Sequence, residues 1–318
     1  MPLTLAQYAT YLDTRDLPWP APPEVTPAKA RPHLVRLPDL KAVTWSVYGT
    51  LLAITGGELY FEHPTEFMMD VALDKTIQEF NMWGSMTRKP GQPADFMRQI
   101  YSQVLAEQST FAGGGIKHPE VAADKVWEAV IKKLIQKDYQ WDTNFYGALN
   151  EYSAKVAYFF HASLQATACH AGAAAALRHV AGRGLAQGLL SDAQCFTEVQ
   201  LQRGLQAQDA AAKLEDLIDA GLNALSYRVG VRKPSDHLFR HPLGTLRQRD
   251  ITPDEVLHVG SRITQDIIPA RRLGMRTALF AGDAASVEAT AEQLKAPASR
   301  PDILLTELEQ IAEVVPGR

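Results

Sequence analysis

Four short polar stretches, far apart in the chain, carry the side chains that could do chemistry together. In chain order they are Ser46-Val47-Tyr48-Gly49-Thr50, Ser191-Asp192, Arg232-Lys233-Pro234, and Ser261 followed by Asp266. Hydroxyl and ammonium groups donate hydrogen bonds to an anion, whereas a carboxylate or an activated hydroxyl can attack a substrate. The set therefore indicates either anion binding or nucleophilic chemistry, provided that the fold brings the four stretches together.

Short apolar runs precede these stretches and predict the strands that would position them. The predicted strands are 43–45, 185–190, 224–227, 256–259, 277–280 and 303–305. Predicted helices alternate with them at about 173–179, 197–205, 211–220, 265–273 and 286–294, and a last one starts near 306. Strands separated by helices imply parallel, right-handed crossovers, and open sheets of this kind hold their site at the carboxyl ends of the strands. We therefore predict an α/β fold with a doubly wound parallel sheet.

A long helical region interrupts this pattern, with no strand signal between residues 64 and 171. Before the first strand stand a short amphipathic helix and a passage rich in proline, which fixes φ and removes backbone donors. We expect that passage to be an extended strap docked on the folded body, or else a loose tail. The predicted organisation is an N-terminal helix and strap (1–40), an α/β core (41–58 plus 172–318) and an all-helical insertion (59–171).

The four stretches, in this order around a helical insertion, closely resemble the four motifs of the haloacid dehalogenase (HAD) superfamily. The resemblance covers about residues 41–310 and includes the flanking runs Leu225–Pro234 and Leu273-Gly274-Met275. It implies a Rossmann-like HAD core with an inserted helical cap. In the family the first strand ends in an aspartate nucleophile, whereas this chain has Ser46 at that position.

The resemblance implies roles for the remaining site residues. Thr50 and Ser191 would donate hydrogen bonds to an anionic group, and Lys233 would hold it. Asp266 would be the acidic residue of the fourth motif. The other positions expected at the site are Gly49, whose turn would offer backbone N–H groups, and Asp192, Tyr48 and Ser261.

Tyr48 and Ser261 match the dehalogenase branch, which needs no metal, where the phosphatase branch has metal-binding aspartates. Mg²⁺ prefers octahedral oxygen ligands that include carboxylates, and the motifs leave chiefly Asp266 with Asp192 nearby. We therefore expect no cofactor and disfavour Mg²⁺. His237 and His241, four residues apart on a predicted helix, could share a metal, but they more simply form a solvated face.

A serine hydroxyl attacks poorly without a base to take its proton, and no acidic residue stands at position 48. The sequence therefore favours a catalytically degenerate HAD-like homologue, a pseudoenzyme that keeps a small-anion pocket. One alternative is an active hydrolase, dehalogenase-like or phosphatase-like, with non-standard chemistry at Ser46. Another is a scaffold that acts through protein contacts.

Composition and charge limit the kinds of partner that we expect for this chain. The net charge is −4, so nothing indicates nucleic acid, and no run approaches the ~20 apolar residues of a membrane span. The only cysteines, Cys169 and Cys195, are isolated, which fits free thiols in a reducing compartment. We expect a cytoplasmic protein with a small anionic ligand, and the dehalogenase resemblance suggests a homodimer.

Overall fold

A parallel sheet of six strands holds the elements that the polar stretches follow. The structure, a computed structural model, describes residues 1–85, 92–112 and 115–315. Its strands are β1 Ala42–Trp45, β2 Leu52–Ile54, β3 Thr167–Cys169, β4 Ala186–Ser191, β5 Ala224–Leu225, β6 Val256–Gly260, β7 Arg276–Phe280 and β8 Ile303–Leu305. The sheet has the order β5-β4-β1-β6-β7-β8, and all its pairs are parallel. The predicted doubly wound sheet is confirmed.

Strand β1 lies inside this sheet, between β4 and β6. Every one of its residues is buried, as expected for a strand covered on both faces. Trp45 at its end is in register with Leu189 of β4 and Val259 of β6. Parallel strands end at the same edge. The residues that follow these three positions therefore meet at the carboxyl edge of the sheet.

The chain divides into two compact units. The helical unit comprises Met1–Ala21, Leu59–Ala166 and Gln194–Val199, and the sheet unit comprises Pro22–Glu58, Thr167–Ala193 and Gln200–Arg318. The first part of the proline-rich strap thus groups with the helices and the rest with the sheet.

The helical unit is built on amphipathic helices with an aromatic-rich core. Its helices are α1 Leu5–Asp13, α2 Glu66–Glu79, α3 Pro93–Ala112, α4 Ala123–Ile135, α5 Thr143–Tyr146 and α6 Leu149–Leu164, with a 3₁₀ turn at Met82–Ser85. A capping box between Thr4 and Gln7 starts α1, whose buried Tyr8 joins the core. Trp19 of the strap packs edge-on against Phe159, with the ring centroids 5.4 Å apart.

The remaining helices flank the sheet. They are α7 Ala173–Gly182, α8 Thr197–Gln208, which begins in the helical unit, α9 Leu214–Leu217, α10 Ser226–Val229, α11 Asp236–Arg247, α12 Ile268–Arg272 and α13 Ile311–Val314. Shorter turns lie at Ala220–Leu222, Pro253–Glu255, Ile263–Ile267 (a π turn) and Leu308–Gln310. The second part of the strap is docked on the sheet unit. His33 exchanges two backbone hydrogen bonds of 2.9 Å with Leu304 of β8, and the Leu37 N–H donates to the Val314 carbonyl.

Several predicted elements differ from the structure. A strand exists within 64–171, because β3 pairs antiparallel with β2, and three residues are too few to show a period. The helix predicted at 286–294 is wrong. Glu288 instead pairs through its backbone with Ser261 and Ile263, which holds it extended.

The helix predicted at 211–220 shortens to α9 and a 3₁₀ turn. The strand predicted at 224–227 ends at Leu225, and α10 begins at Ser226. The Ser226 hydroxyl bonds to both the N–H and the carbonyl of Ala193.

Candidate functional site

The first two polar stretches meet directly after β1, beside the end of β6. The Ser46 N–H donates to the Val259 carbonyl at 2.9 Å. The next N–H, that of Val47, donates to the Ser191 Oγ at 3.0 Å. These two bonds attach the end of β1 to both neighbouring strands, and they leave Ser46 only 4% exposed.

Lys233 brings the third and fourth stretches to the same point. Its Nζ donates to the Ser46 Oγ at 2.8 Å and also to Asp266 in a buried ion pair. Its backbone N–H donates to Asp192 Oδ1 at 2.8 Å. Asp192 therefore positions the loop that carries Lys233, a role that the sequence resemblance did not imply.

Asp266 is the most heavily contacted acid of the site. Besides Lys233, its Oδ2 accepts the Arg262 N–H at 3.0 Å, and its Oδ1 lies 3.3 Å from His258 Nε2. Burial alone would favour the neutral acid, but Lys233 and His258 outweigh it and hold the pKa of Asp266 well below the usual carboxyl range. Asp266 is therefore a carboxylate at neutral pH.

His258, within the predicted strand 256–259, was not among the residues expected at the site. It lies in β6 directly opposite Thr44 of β1, and its Nδ1 is 3.0 Å from the Thr44 Oγ1. Burial lowers the pKa of His258, and the hydrogen bond to Asp266 opposes this only in part. The imidazole is accordingly neutral, and it links Asp266 to the middle of β1. A histidine and a threonine inside otherwise apolar strands were the available signal.

Most of the expected anion donors are engaged by the protein itself. The Ser191 hydroxyl donates to the Asp192 carbonyl at 2.8 Å. The Gly49 N–H donates to the Leu52 carbonyl at 2.7 Å, and the Thr50 N–H to the Val47 carbonyl at 3.1 Å. The expectation that these groups point to a ligand is therefore not met in this conformation.

Thr50 Oγ1 is different, because it is buried and has no hydrogen-bond partner within the described residues. A buried hydroxyl left without a partner costs free energy, on the order of 1–3 kcal/mol. Such an atom beside a strand end requires an explanation, and a ligand that accepts its proton would supply one.

Two expected residues, Tyr48 and Ser261, also belong to this edge. The Tyr48 hydroxyl donates to Gln200 Oε1 at 2.6 Å. Gly49 has a φ of 78°, and a Cβ there would lie 2.8 Å from the Ser261 Oγ. Glycine is therefore needed for the first loop to approach the fourth stretch so closely.

The same close approach identifies two residues that the motifs did not include. A Cβ on Gly49 would lie 3.0 Å from the Cβ of Ser286, whose hydroxyl donates to Asp283 Oδ2 at 2.6 Å. Asp283 is buried and follows the carboxyl end of β7. Position just after a strand end was the signal that could have found it.

The residues present do not fit Mg²⁺. Asp266 is held by a lysine, a histidine and a backbone N–H, and Asp192 accepts from the Lys233 N–H with the Arg232 Nε 3.6 Å away. Throughout the described ranges, no group of three or more His, Cys, Asp or Glu side chains could hold a metal ion. His237 and His241 therefore belong to no such group of three within the described residues.

The charges of the buried centre balance. Lys233 contributes one positive charge, Asp266 one negative charge, and His258 is neutral. A carboxylate at position 46 would make the balance negative, whereas a serine leaves it at zero. The centre is thus an ion pair whose ammonium contacts one hydroxyl, that of Ser46. The Thr50 hydroxyl, four residues further along the same stretch, has no hydrogen-bond partner within the described residues.

Comparison with known proteins agrees with this architecture. Residues 230–311 match a family described as HAD-hydrolase-like. A stretch of 67 residues is 33% identical to the rhythmically expressed gene 2 protein of Drosophila melanogaster. The stretch makes up 21% of this chain and 25% of the length of that protein.

Among solved structures, the fold is similar to that of a 2-haloacid dehalogenase from Pseudomonas syringae. The two share 18% identity over 86% of this chain and 97% of the other, with a TM-score of 0.52. A HAD phosphatase from Thermococcus onnurineus aligns at 17% identity over the same shares, with a TM-score of 0.46. Residues 230–311 thus match a HAD-hydrolase-like family, and the chain shares its fold with the Pseudomonas syringae structure.

None of the helices in the described part of the chain combines the length and the apolar character that crossing a membrane requires.

Proposed function

We propose that this chain is a catalytically degenerate member of the HAD-like hydrolase superfamily that binds a small anion beside Ser46. The observation that carries the proposal is the pairing of the Lys233 ammonium with both the Ser46 hydroxyl, at 2.8 Å, and the Asp266 carboxylate. An ammonium group donates to the serine oxygen and cannot accept the serine proton. The group closest to the candidate nucleophile is therefore not a base.

Anion binding is supported by the charge balance and by Thr50. A carboxylate at position 46 would occupy the space in front of Lys233 and repel a ligand, and Ser46 removes that charge. A small anion could accept from Thr50 Oγ1 and from the remaining ammonium hydrogen. Charge-assisted bonds of this kind contribute about 1.5–3 kcal/mol each.

A hydrolysis panel applied to the native chain and to Ser46→Asp tests the degenerate part of the proposal. The panel contains an aryl phosphate with and without Mg²⁺, and a 2-haloacid. We expect no turnover by the native chain and a gain in the variant, because the pocket would lack only its nucleophile. The exposed Ser109 allows a matched control, Ser109→Asp, which adds the same charge and should gain nothing. Turnover by the native chain that vanishes in Ser46→Ala would overturn the proposal.

Binding is measured separately, as protection of the native chain against thermal unfolding by phosphate, formate or chloride. Protection should be lost in Thr50→Val, which keeps the shape of the side chain but removes the donor. No protection by any of the three anions, with the hydrolysis result as expected, would leave a degenerate homologue without a ligand and would favour the scaffold alternative.

A second candidate, an active hydrolase, is favoured by the same 2.8 Å contact. Ser-Lys pairs serve as nucleophile and base on other folds when the lysine is neutral. Such chemistry here needs Lys233 to lose its proton despite Asp266. Activity would then rise steeply at alkaline pH and would be increased by Asp266→Asn, whereas the degenerate homologue would remain inactive in both conditions. The homodimer and the cytoplasmic location remain predictions.

A further inference from the structure

A basic cavity lies at the opposite edge of the same sheet. It has a volume of about 400 Å³, and its cationic lining residues are Arg271, Arg276, Lys295 and Arg300. Arg276 is the first residue of β7, and Asp302 directly precedes β8. The cavity is therefore at the amino ends of these strands, a strand length of roughly 15 Å from the carboxyl edge that carries Ser46.

The positive charge of this cavity is not cancelled by its own acid. Asp302 accepts from Arg271 at 3.0 Å and from the N–H and hydroxyl of Thr277 at 2.8 and 2.9 Å. Within the described ranges, Arg276, Lys295 and Arg300 form no ion pair with an acidic side chain. Three free cations thus converge on one concavity, in a chain whose net charge is −4.

The remaining wall of the cavity is apolar. Val35 and Leu37, both from the strap, line it together with Pro297 and Pro301. Val35 is 41% exposed and leaves apolar surface on the wall of the cavity. The strap is held there by the backbone bonds of His33 and Leu37. An occupant should therefore combine clustered negative charge with an apolar, flat part.

We propose that this cavity binds a nucleoside diphosphate or a similar organic diphosphate. Its two phosphates would meet Arg276, Lys295 and Arg300, because arginine presents a planar fork that matches phosphate oxygens. Its base would lie on Val35 and Leu37. The volume is in the range of pockets that hold small ligands. The site is independent of the anion pocket at Ser46, and it gives the strap a role in ligand binding.

Isothermal titration of the full chain with ADP, AMP and inorganic pyrophosphate at low salt tests the proposal. ADP should bind at least tenfold more tightly than AMP, because AMP carries one phosphate fewer. The double variant Arg276→Ala/Arg300→Ala should weaken ADP binding at least tenfold. Arg240→Ala/Arg247→Ala removes two exposed arginines that do not line the cavity, and it should bind ADP as the native chain does.

The variant Val35→Ser tests the apolar wall of the cavity separately from its cationic residues. It should weaken ADP several-fold and leave pyrophosphate unchanged, since pyrophosphate has no base to contact the strap. Absence of ADP binding at millimolar concentration overturns the proposal, and so does ADP binding that survives Arg276→Ala/Arg300→Ala. A variant in the Ser46 pocket, Thr50→Val, should leave the ADP titration unchanged, so failure of either proposal is seen separately.

Discussion

His258 of the sheet unit and His161 of the helical unit are both fully buried, yet they satisfy their ring nitrogens in opposite ways. His258 contacts Thr44 through one nitrogen and Asp266 through the other. Among the described residues, neither ring nitrogen of His161 has a hydrogen-bond partner. The ring centroids of Phe61, Phe160 and Phe196 lie 4.9 to 5.5 Å from that of His161. One histidine is part of a polar network, and the other is a polar group inside an aromatic core.

The difference indicates which buried polar side chains belong to a functional site. In the helical unit, Trp127 Nε1 and Ser163 Oγ are also buried without partners among the described residues, so unsatisfied groups there accompany tight aromatic packing. In the sheet unit the buried centre is a chain of contacts from Ser46 through Lys233 and Asp266 to His258 and Thr44. In the described part of the sheet unit, Thr50 Oγ1 and His170 Nε2 are buried without a hydrogen-bond partner. Thr50 lies in the turn that follows β1 and Ser46, which is why the proposed function uses it.

Breaking the network at Lys233 should have the largest effect. Lys233→Met leaves Asp266 as a buried carboxylate without its cation, a change that typically costs 3–5 kcal/mol, and we expect about that loss in the free energy of unfolding. Equilibrium unfolding in urea at pH 7 measures it. The exposed Lys295→Met should change stability by less than about 0.5 kcal/mol.

The origin of that loss can be checked with a second substitution. Adding Asp266→Leu to Lys233→Met should recover part of the stability, because the unpaired charge is then gone. A loss below about 1 kcal/mol in the single variant would mean that Asp266 finds other compensation and that the network is not cooperative.

His161 should make stability depend on pH. Burial lowers the pKa of His161 to about 3, and the nearby Tyr60 backbone offsets this only in part. The unfolded chain keeps the ordinary pKa of about 6.5 and binds the proton first. Protonation therefore stabilises the unfolded state, and stability falls as the pH drops from 6.5 towards 3. The expected contribution at pH 4 is a loss of about 3 kcal/mol.

Comparison of His161→Phe with the native chain isolates this contribution. The free energy of unfolding should fall about 3 kcal/mol less between pH 6.5 and pH 4 in the variant. His237→Phe, which replaces an exposed histidine, should follow the native curve. Parallel curves for the native chain and His161→Phe would show that His161 acquires a proton in the folded state and is not as isolated as its surroundings indicate.

The sheet could be predicted from the sequence because its strands are short apolar runs with clear boundaries. The predicted strands 256–259 and 277–280 lie within one residue of β6 and β7 at each end. The meeting of Ser46, Ser191, Lys233 and Asp266 at one edge could also be predicted, since each follows a predicted strand and the strands were predicted to be parallel. Elements whose conformation depends on residues far away in the chain could not be predicted in this way. Strand β3 exists only through β2, and Glu288 is extended only through Ser261 and Ile263.

The partner of each hydrogen-bond donor could not be predicted from the sequence either. Ser191 and the turn of Gly49 and Thr50 have the residue types of anion donors, but their donors are consumed by neighbouring carbonyls. Residue type states which bonds a group can make, and only the folded chain decides which it makes. The cross-strand pair of Thr44 and His258 is the opposite case, two unremarked residues that the register places opposite each other.

Two buried threonines, Thr50 and Thr44, test the distinction between partnered and unpartnered groups with the smallest chemical change. Thr50→Val removes a hydroxyl that has no partner in the described part of the chain, so stability should stay the same or rise by up to about 1 kcal/mol. Thr44→Val removes the partner of His258 Nδ1 and should cost about 1–2 kcal/mol by leaving that nitrogen unsatisfied. Urea unfolding of the two variants in anion-free buffer gives both values. Equal losses would mean that Thr50 Oγ1 has a partner in solution, and the anion proposal would then lose the atom on which it depends.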